Sequence, residues 1–128
     1  MTDGLDVFEY ATLRVVPRVE RGELINAGVV VYCRARGVVA ARTHLDEARL
    51  AALDAAADTT GVRAALAAVE RVCAGGDAAG LAAGDDAGRR FRWLIAPRST
   101  VVQPGPVHTG LTDDPEAEAD RLLRQLVL

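Results

Sequence analysis

One fifteen-residue segment concentrates the polar chemistry of this chain: Ala96-Pro97-Arg98-Ser99-Thr100-Val101-Val102-Gln103-Pro104-Gly105-Pro106-Val107-His108-Thr109-Gly110. Ser99 is the single serine and His108 one of two histidines. A guanidinium, hydroxyls, an amide and an imidazole on a backbone stiffened by proline present fixed donors, which suits an anion or a carboxylate. The same residues also have a purely structural use. Ser99 and Thr100 can satisfy local backbone groups, while Gln103 and His108 can bond across a turn. A serine nucleophile is disfavoured, because Pro97-Arg98 precede Ser99 where a nucleophile elbow needs Gly-x-Ser-x-Gly.

Other chemistries are excluded or weakly supported by residue type. All fifteen basic residues are arginine. Without lysine the chain cannot itself form a Schiff base, offer an amine nucleophile or complete a P-loop. His44, His108, Cys33, Cys73 and the acids show no metal-ligand spacing, so no metal and no cofactor is expected. Cys33 and Cys73 lie 40 residues apart without a Cys-x-x-Cys unit, as for two buried free thiols in a reducing cytosol. A formal net charge of −3 and five aromatic residues argue against nucleic acid. Phe91 and Trp93 among Arg90, Arg92 and Arg98 could still form one stacking patch, or both could pack in the core. Two stretches, 10–42 and 89–98, each carry a net +4. They either meet as a basic face or remain scattered, solvated charge.

The elements that must position these side chains follow from periodicity. With 128 residues, half of them apolar, the chain fits one domain spanning 1–128 with a real core. Phe8 to Val16 alternates as a strand, Pro17 ends it, and Arg18 to Glu23 reads as a hairpin loop. Leu24 to Cys33 is a dense apolar run, hence a strand buried on both faces. Gly28 within it marks a bulge or a close backbone approach. Val38 to Thr43 completes a three-stranded antiparallel meander, because the connections are too short for parallel crossovers. Asp46 caps a helix over 46–57, with Leu45 stapled onto Leu50. A second helix spans 60–74 and stops at Gly75-Gly76. Glycines every fourth residue then predict a flexible Gly/Ala-rich loop at 75–88, since about 1 kcal/mol of helix penalty attaches to each. Arg89 to Ile95 suits a helix or a strand. Ser99 to Gln103 reads as a fourth strand, Pro104 to Pro106 as a turn, and Val107 to Thr109 as a short extension. Asp113 or Asp114 caps a last helix over 115–127. The fold class is therefore α+β: an antiparallel sheet of about four strands, with helices packed mainly on one face.

Asn26 and Gly28 interrupt an otherwise apolar strand, and 99–103 is the other strand rich in polar donors. A buried amide without partners costs about 1–3 kcal/mol. Either Asn26 satisfies backbone groups at its own bulge, or it lies in contact with Arg98 to Gln103, with Arg14 nearby on the same face. The second arrangement makes a polar pocket of Arg14, Asn26, Arg98, Ser99, Thr100, Gln103 and His108. The opening residues carry Asp3, Asp6 and Glu9 without a basic residue, unlike a secretory signal. The longest apolar run falls well short of the roughly 20 residues a membrane helix needs. A cytoplasmic location away from membranes is expected.

Several blocks resemble a known bacterial family. Arg18-Val19-Glu20-Arg21-Gly22-Glu23 before Asn26-Ala27-Gly28-Val29-Val30, Phe91-Arg92-Trp93-Leu94 running into Ala96-Pro97-Arg98-Ser99-Thr100-Val101-Val102-Gln103, and Pro106-Val107-His108-Thr109-Gly110 are similar to domain of unknown function 3037. The resemblance implies a small bacterial protein without an assigned activity. Relatives encoded beside a HipA-like kinase-fold protein imply an accessory or interaction role with such a partner, rather than a stand-alone enzyme.

Overall fold

A computed structural model describes residues 4–76, 84–98 and 100–128. Its elements are β1 (Asp6–Val15), β2 (Ile25–Cys33), β3 (Val38–Thr43), α1 (Glu47–Leu53), α2 (Thr59–Ala74), α3 (Ala87–Leu94), β4 (Val102–Pro104), β5 (His108–Thr112) and α4 (Pro115–Leu126). All pairings are antiparallel, in the order β3-β2-β1-β4, with β5 also on β1. The meander is present, and the chain is α+β with five strands instead of four.

The apolar run of β2 is explained by cover on both faces: every residue from Ala27 to Cys33 is buried. On one face Ala11, Leu13, Val30, Tyr32, Val39 and Ala41 pack with Val72, Cys73, Phe91 and Leu94. Next to them Val15 and Ala27 meet Leu50, Val62 and Leu66, with Leu45 against the same group. On the other face Phe8, Val29, Val31, Cys33 and Ala40 meet Ala119 and Leu122. So α1, α2 and α3 share one face, and α4, expected among them, covers the opposite one. Each helix begins at an aspartate whose Oδ1 accepts a backbone N–H: Asp46 from Arg49 at 3.0 Å, Asp58 from Gly61 at 2.9 Å, Asp86 from Arg89 at 2.8 Å and Asp114 from Ala117 at 3.1 Å. Caps of this kind are worth about 1 kcal/mol each.

Three boundaries differ from the sequence reading. The first helix stops at Leu53 rather than 57, because Asp54 turns extended and its carboxylate accepts from Ala56 N. The later strand is β4, starting at Val102: Thr100 Oγ1 donates to Val102 O and Gln103 Nε2 to Thr100 O, both at 2.7 Å, folding the approach into a turn. Finally, the short extension at 107–109 is a five-residue strand on β1, reached through Gly105, whose N–H donates to Thr12 O at 2.8 Å. Of the stretch at 75–88, residues 77–83 lie outside the described residues, and Ala87 and Gly88 open α3. Among the described residues no helix is long and apolar enough to cross a membrane.

Candidate functional site

The polar segment is divided by the pleat of β4. Val102 lies opposite Val15 and Gln103 opposite Arg14, so the two side chains leave on opposite faces. On the α4 face, Arg14 pairs with Asn26 on one side and Gln103 on the other. Those three form one row across the sheet. A bulge places Ala27 as the extra residue between the Leu13–Gly28 and Arg14–Asn26 pairs, and this returns Asn26 to the α4 face. There Asn26 Nδ2 donates to Leu126 O at 3.2 Å. Arg14 Nε is buried without a partner among the described residues. The guanidinium fits because residue 105 is glycine: a Cβ there would stand 3.0 Å from Arg14 Nε and 2.6 Å from Thr12 Oγ1. His108 lies further along this face, its ring centroid 5.3 Å from that of Tyr10.

Arg98 sits on the other face. Its Nε donates to Ala96 O at 3.2 Å, another guanidinium nitrogen donates to Trp93 O, and its Cζ stands 5.0 Å from the Trp93 ring centroid. It thus ties the loop to the end of α3 and stacks on an indole. Thr100 is exposed on this side, and Ser99 lies outside the described residues. The pocket joining Arg98 to Asn26 is accordingly two separate places.

What Arg98 does border is a groove along α2. One end, about 390 Å³, is lined by Pro17, Asp54, Asp58, Val62, Ala65 and Val102. The other, about 320 Å³, is lined by Ala65, Ala68, Val69, Trp93, Arg98 and Val101. The two share Ala65, Val101 and Val102, so they run on as one trough. Its floor is made by small residues at helical spacing, Gly61, Ala65 and Ala68. Two carboxylates mark one end and a guanidinium the other. Trp93 is 54% exposed and Phe91 1%. Two positions on a helix are about 200° apart, so both rings cannot be core; this geometry was the available signal for Trp93.

The family model for Protein of unknown function (DUF3037) matches residues 10–127, nearly the whole chain. The chain belongs to this family. No curated protein and no solved structure shows significant similarity to it. In this DUF3037 member the matched span contains both the groove and the Arg14 row.

Much of the first basic stretch is neutralised by nearby acids. Arg18 and Arg21 pair with Glu20 and Glu23, Arg36 with Asp6, and Arg42 with Glu116 and Asp120. Among the described residues no three His, Cys, Asp or Glu side chains converge as a metal site. Cys33 and Cys73 are free and buried. Burial pushes the Cys73 thiol up to about 12. Since the thiolate is the reactive form, alkylation of Cys73 in the native protein at about pH 8 is expected to be at least 100-fold slower than in the urea-unfolded chain. Mass-spectrometric labelling kinetics check this, and equal rates would contradict a buried thiol.

Proposed function

We propose that this DUF3037 chain is an accessory interaction protein of the bacterial cytosol, which holds an apolar segment of a protein partner in the α2 groove. The observation that carries this is Trp93, exposed yet fixed by Arg98 at the end of a small-residue trough. Tryptophan and arginine are the residue types most enriched among binding hot spots. The charges at the ends select the occupant: an acidic group beside Arg98 and a basic group beside Asp54 and Asp58. A HipA-like kinase-fold protein is the candidate partner on family context. Nucleic acid and membrane are not the partners proposed.

Calorimetric titration against that partner tests the reading. Trp93→Ala is expected to weaken binding at least tenfold, about 1.4 kcal/mol. It should leave the melting temperature within about 2 °C, as for an exposed side chain. Arg98→Ala should weaken binding as well, and also cost about 1 kcal/mol of stability through its lost carbonyl contacts at the end of α3. Affinity indifferent to both substitutions would reject the groove.

A second reading is favoured by Arg14, whose buried Nε has no partner among the described residues. A small anion, carboxylate or phosphate, held by Arg14 with Thr12 and Gln103 would meet this need. Asn26 lies in the same row, and His108 further along the same face. It predicts a melting-temperature rise with such anions that disappears in Arg14→Gln and persists in Arg98→Ala.

A further inference from the structure

The edge of the sheet opposite β3 is unusual in its chemistry. Among the described residues β5 is hydrogen-bonded to β1 alone, so the alternate N–H and C=O groups of its outer side face away from the sheet. No backbone hydrogen bond reaches that side among the described residues. Folded proteins ordinarily protect such an edge with charge, proline or a covering element. His108-Thr109-Gly110-Leu111-Thr112 has neither a formal charge nor a proline, and His108, Thr109 and Leu111 are exposed.

Beside this edge lies an apolar patch on the face shared with α1–α3. Val7 and Leu111 are cross-strand partners and therefore side by side. They are 60% and 53% exposed, and Leu5 next to them 39%. The three border an open hollow of about 780 Å³ with Tyr32 and Arg34. A row of free backbone groups calls for an extended strand as occupant, and the patch calls for that strand to bring apolar side chains on one face.

A second copy of β5 meets both demands. In an antiparallel pair about a two-fold axis at Gly110, His108 faces Thr112 and Thr109 faces Leu111 of the other copy. No like charges oppose each other in this register. Both Leu111 side chains emerge on the same face, so the Val7, Leu111 and Leu5 patches of the two copies flank the new seam. Two acids lie one strand back: Asp6 is held by Arg36 at 2.8 Å on the opposite face, and Glu9, on the face of the patch, sits behind Thr109, a full strand away from the seam. The geometry points to a symmetric dimer in which β5 pairs with β5 and the two sheets become one of ten strands. The interface is isologous, which closes the assembly at two and consumes the aggregation-prone edge. It lies apart from the α2 groove, so each copy keeps its groove open.

Sedimentation velocity over a dilution series tests this directly. The wild-type protein should approach twice the 13.5 kDa chain mass at high concentration. The double variant Thr109→Lys/Leu111→Lys, which puts four like charges at the seam, should remain at one chain mass with an unchanged circular dichroism spectrum. Hydrogen exchange of wild-type residues 108–112 gives a readout independent of any variant: their outward amides should gain protection as concentration rises. A wild-type protein monomeric throughout overturns the proposal. So does a dimer that survives both lysines, or one whose 108–112 amides exchange at the same rate at all concentrations.

Discussion

Replacing Phe91 by alanine is expected to cost about 3–5 kcal/mol and to be the most damaging single truncation in the molecule. Phe91 is 1% exposed and stacks on Tyr32 with centroids 5.1 Å apart. Around it the cluster is made of Ala11, Leu13, Val30, Val72 and Leu94, several of them too small to move into the space a ring leaves. The neighbouring ring, Tyr32, is set on β2 between β1 and β3, so it cannot shift far to fill it. A domain of this size is stable by about 5–15 kcal/mol, so the variant would be close to unfolding at physiological temperature. At roughly 4 °C per kcal/mol, the melting temperature should fall by about 12–20 °C. Urea unfolding with an unchanged m-value is the measurement. Trp93→Ala is the internal control, two residues along the same helix and exposed, and expected within about 0.5 kcal/mol of wild type. Similar losses in both would mean that the helix itself, not the cavity, is being weakened.

The contrast between these two aromatic residues shows where the sequence was informative. Periodicities of two and of 3.6 were legible in β1, α2 and α4, and the unbroken apolar run in β2, because burial on one face or on both imposes these patterns directly on residue type. The caps at Asp46 and Asp114 were legible for the same local reason, whereas those at Asp58 and Asp86 emerge only from the structure. β5 was legible only as a short extension, because its pairing depends on Gly105 N–H reaching Thr12 O, a contact spanning some ninety positions that two flanking prolines disguise as a plain turn. The candidate site suffered from a finer ambiguity. Arg14, Asn26 and Gln103 were neighbours in one of the two arrangements the sequence left open, and the register aligns them across three strands, with Asn26 bonded to Leu126 O of α4. Arg98 precedes β4 and has no periodicity to assign it a face; its contacts with Trp93 and Ala96 place it on the opposite side. Residue types could name these donors only as a group, and the pleat separates Arg98 from the row of Arg14, Asn26 and Gln103.

Gly28 carries the second large effect, since the sequence leaves open whether it marks a bulge or a close approach, and the structure has both. It stands in the pair next to the bulge, opposite Leu13 on one side and Thr43 on the other. A Cβ at this position would lie 2.8 Å from Arg42 O, 3.1 Å from Leu13 Cδ1 and 3.1 Å from Thr43 Cγ2. The two side-chain carbons could yield by small rotations. The carbonyl oxygen belongs to β3 and can move only if the strand moves. That strand is pinned, because Arg42 reaches Asp120 at 2.8 Å and Glu116 at 2.6 Å on α4. Overpacking a rigid site costs about 1–3 kcal/mol, occasionally more, and a contact with backbone belongs at the upper end. The stiffening of the unfolded chain by alanine returns about 0.4–1 kcal/mol. Gly28→Ala should therefore destabilise the protein by a net of about 2 kcal/mol. Adding Leu13→Val tests the cause, because it relieves only the side-chain contact. If the carbonyl is the obstacle, that second change rescues nothing, and hydrogen exchange at 38–43 stays accelerated. Full recovery on shortening Leu13 would instead show that β2 and β3 separate freely, and that glycine is required at this bulge only to make room for a leucine.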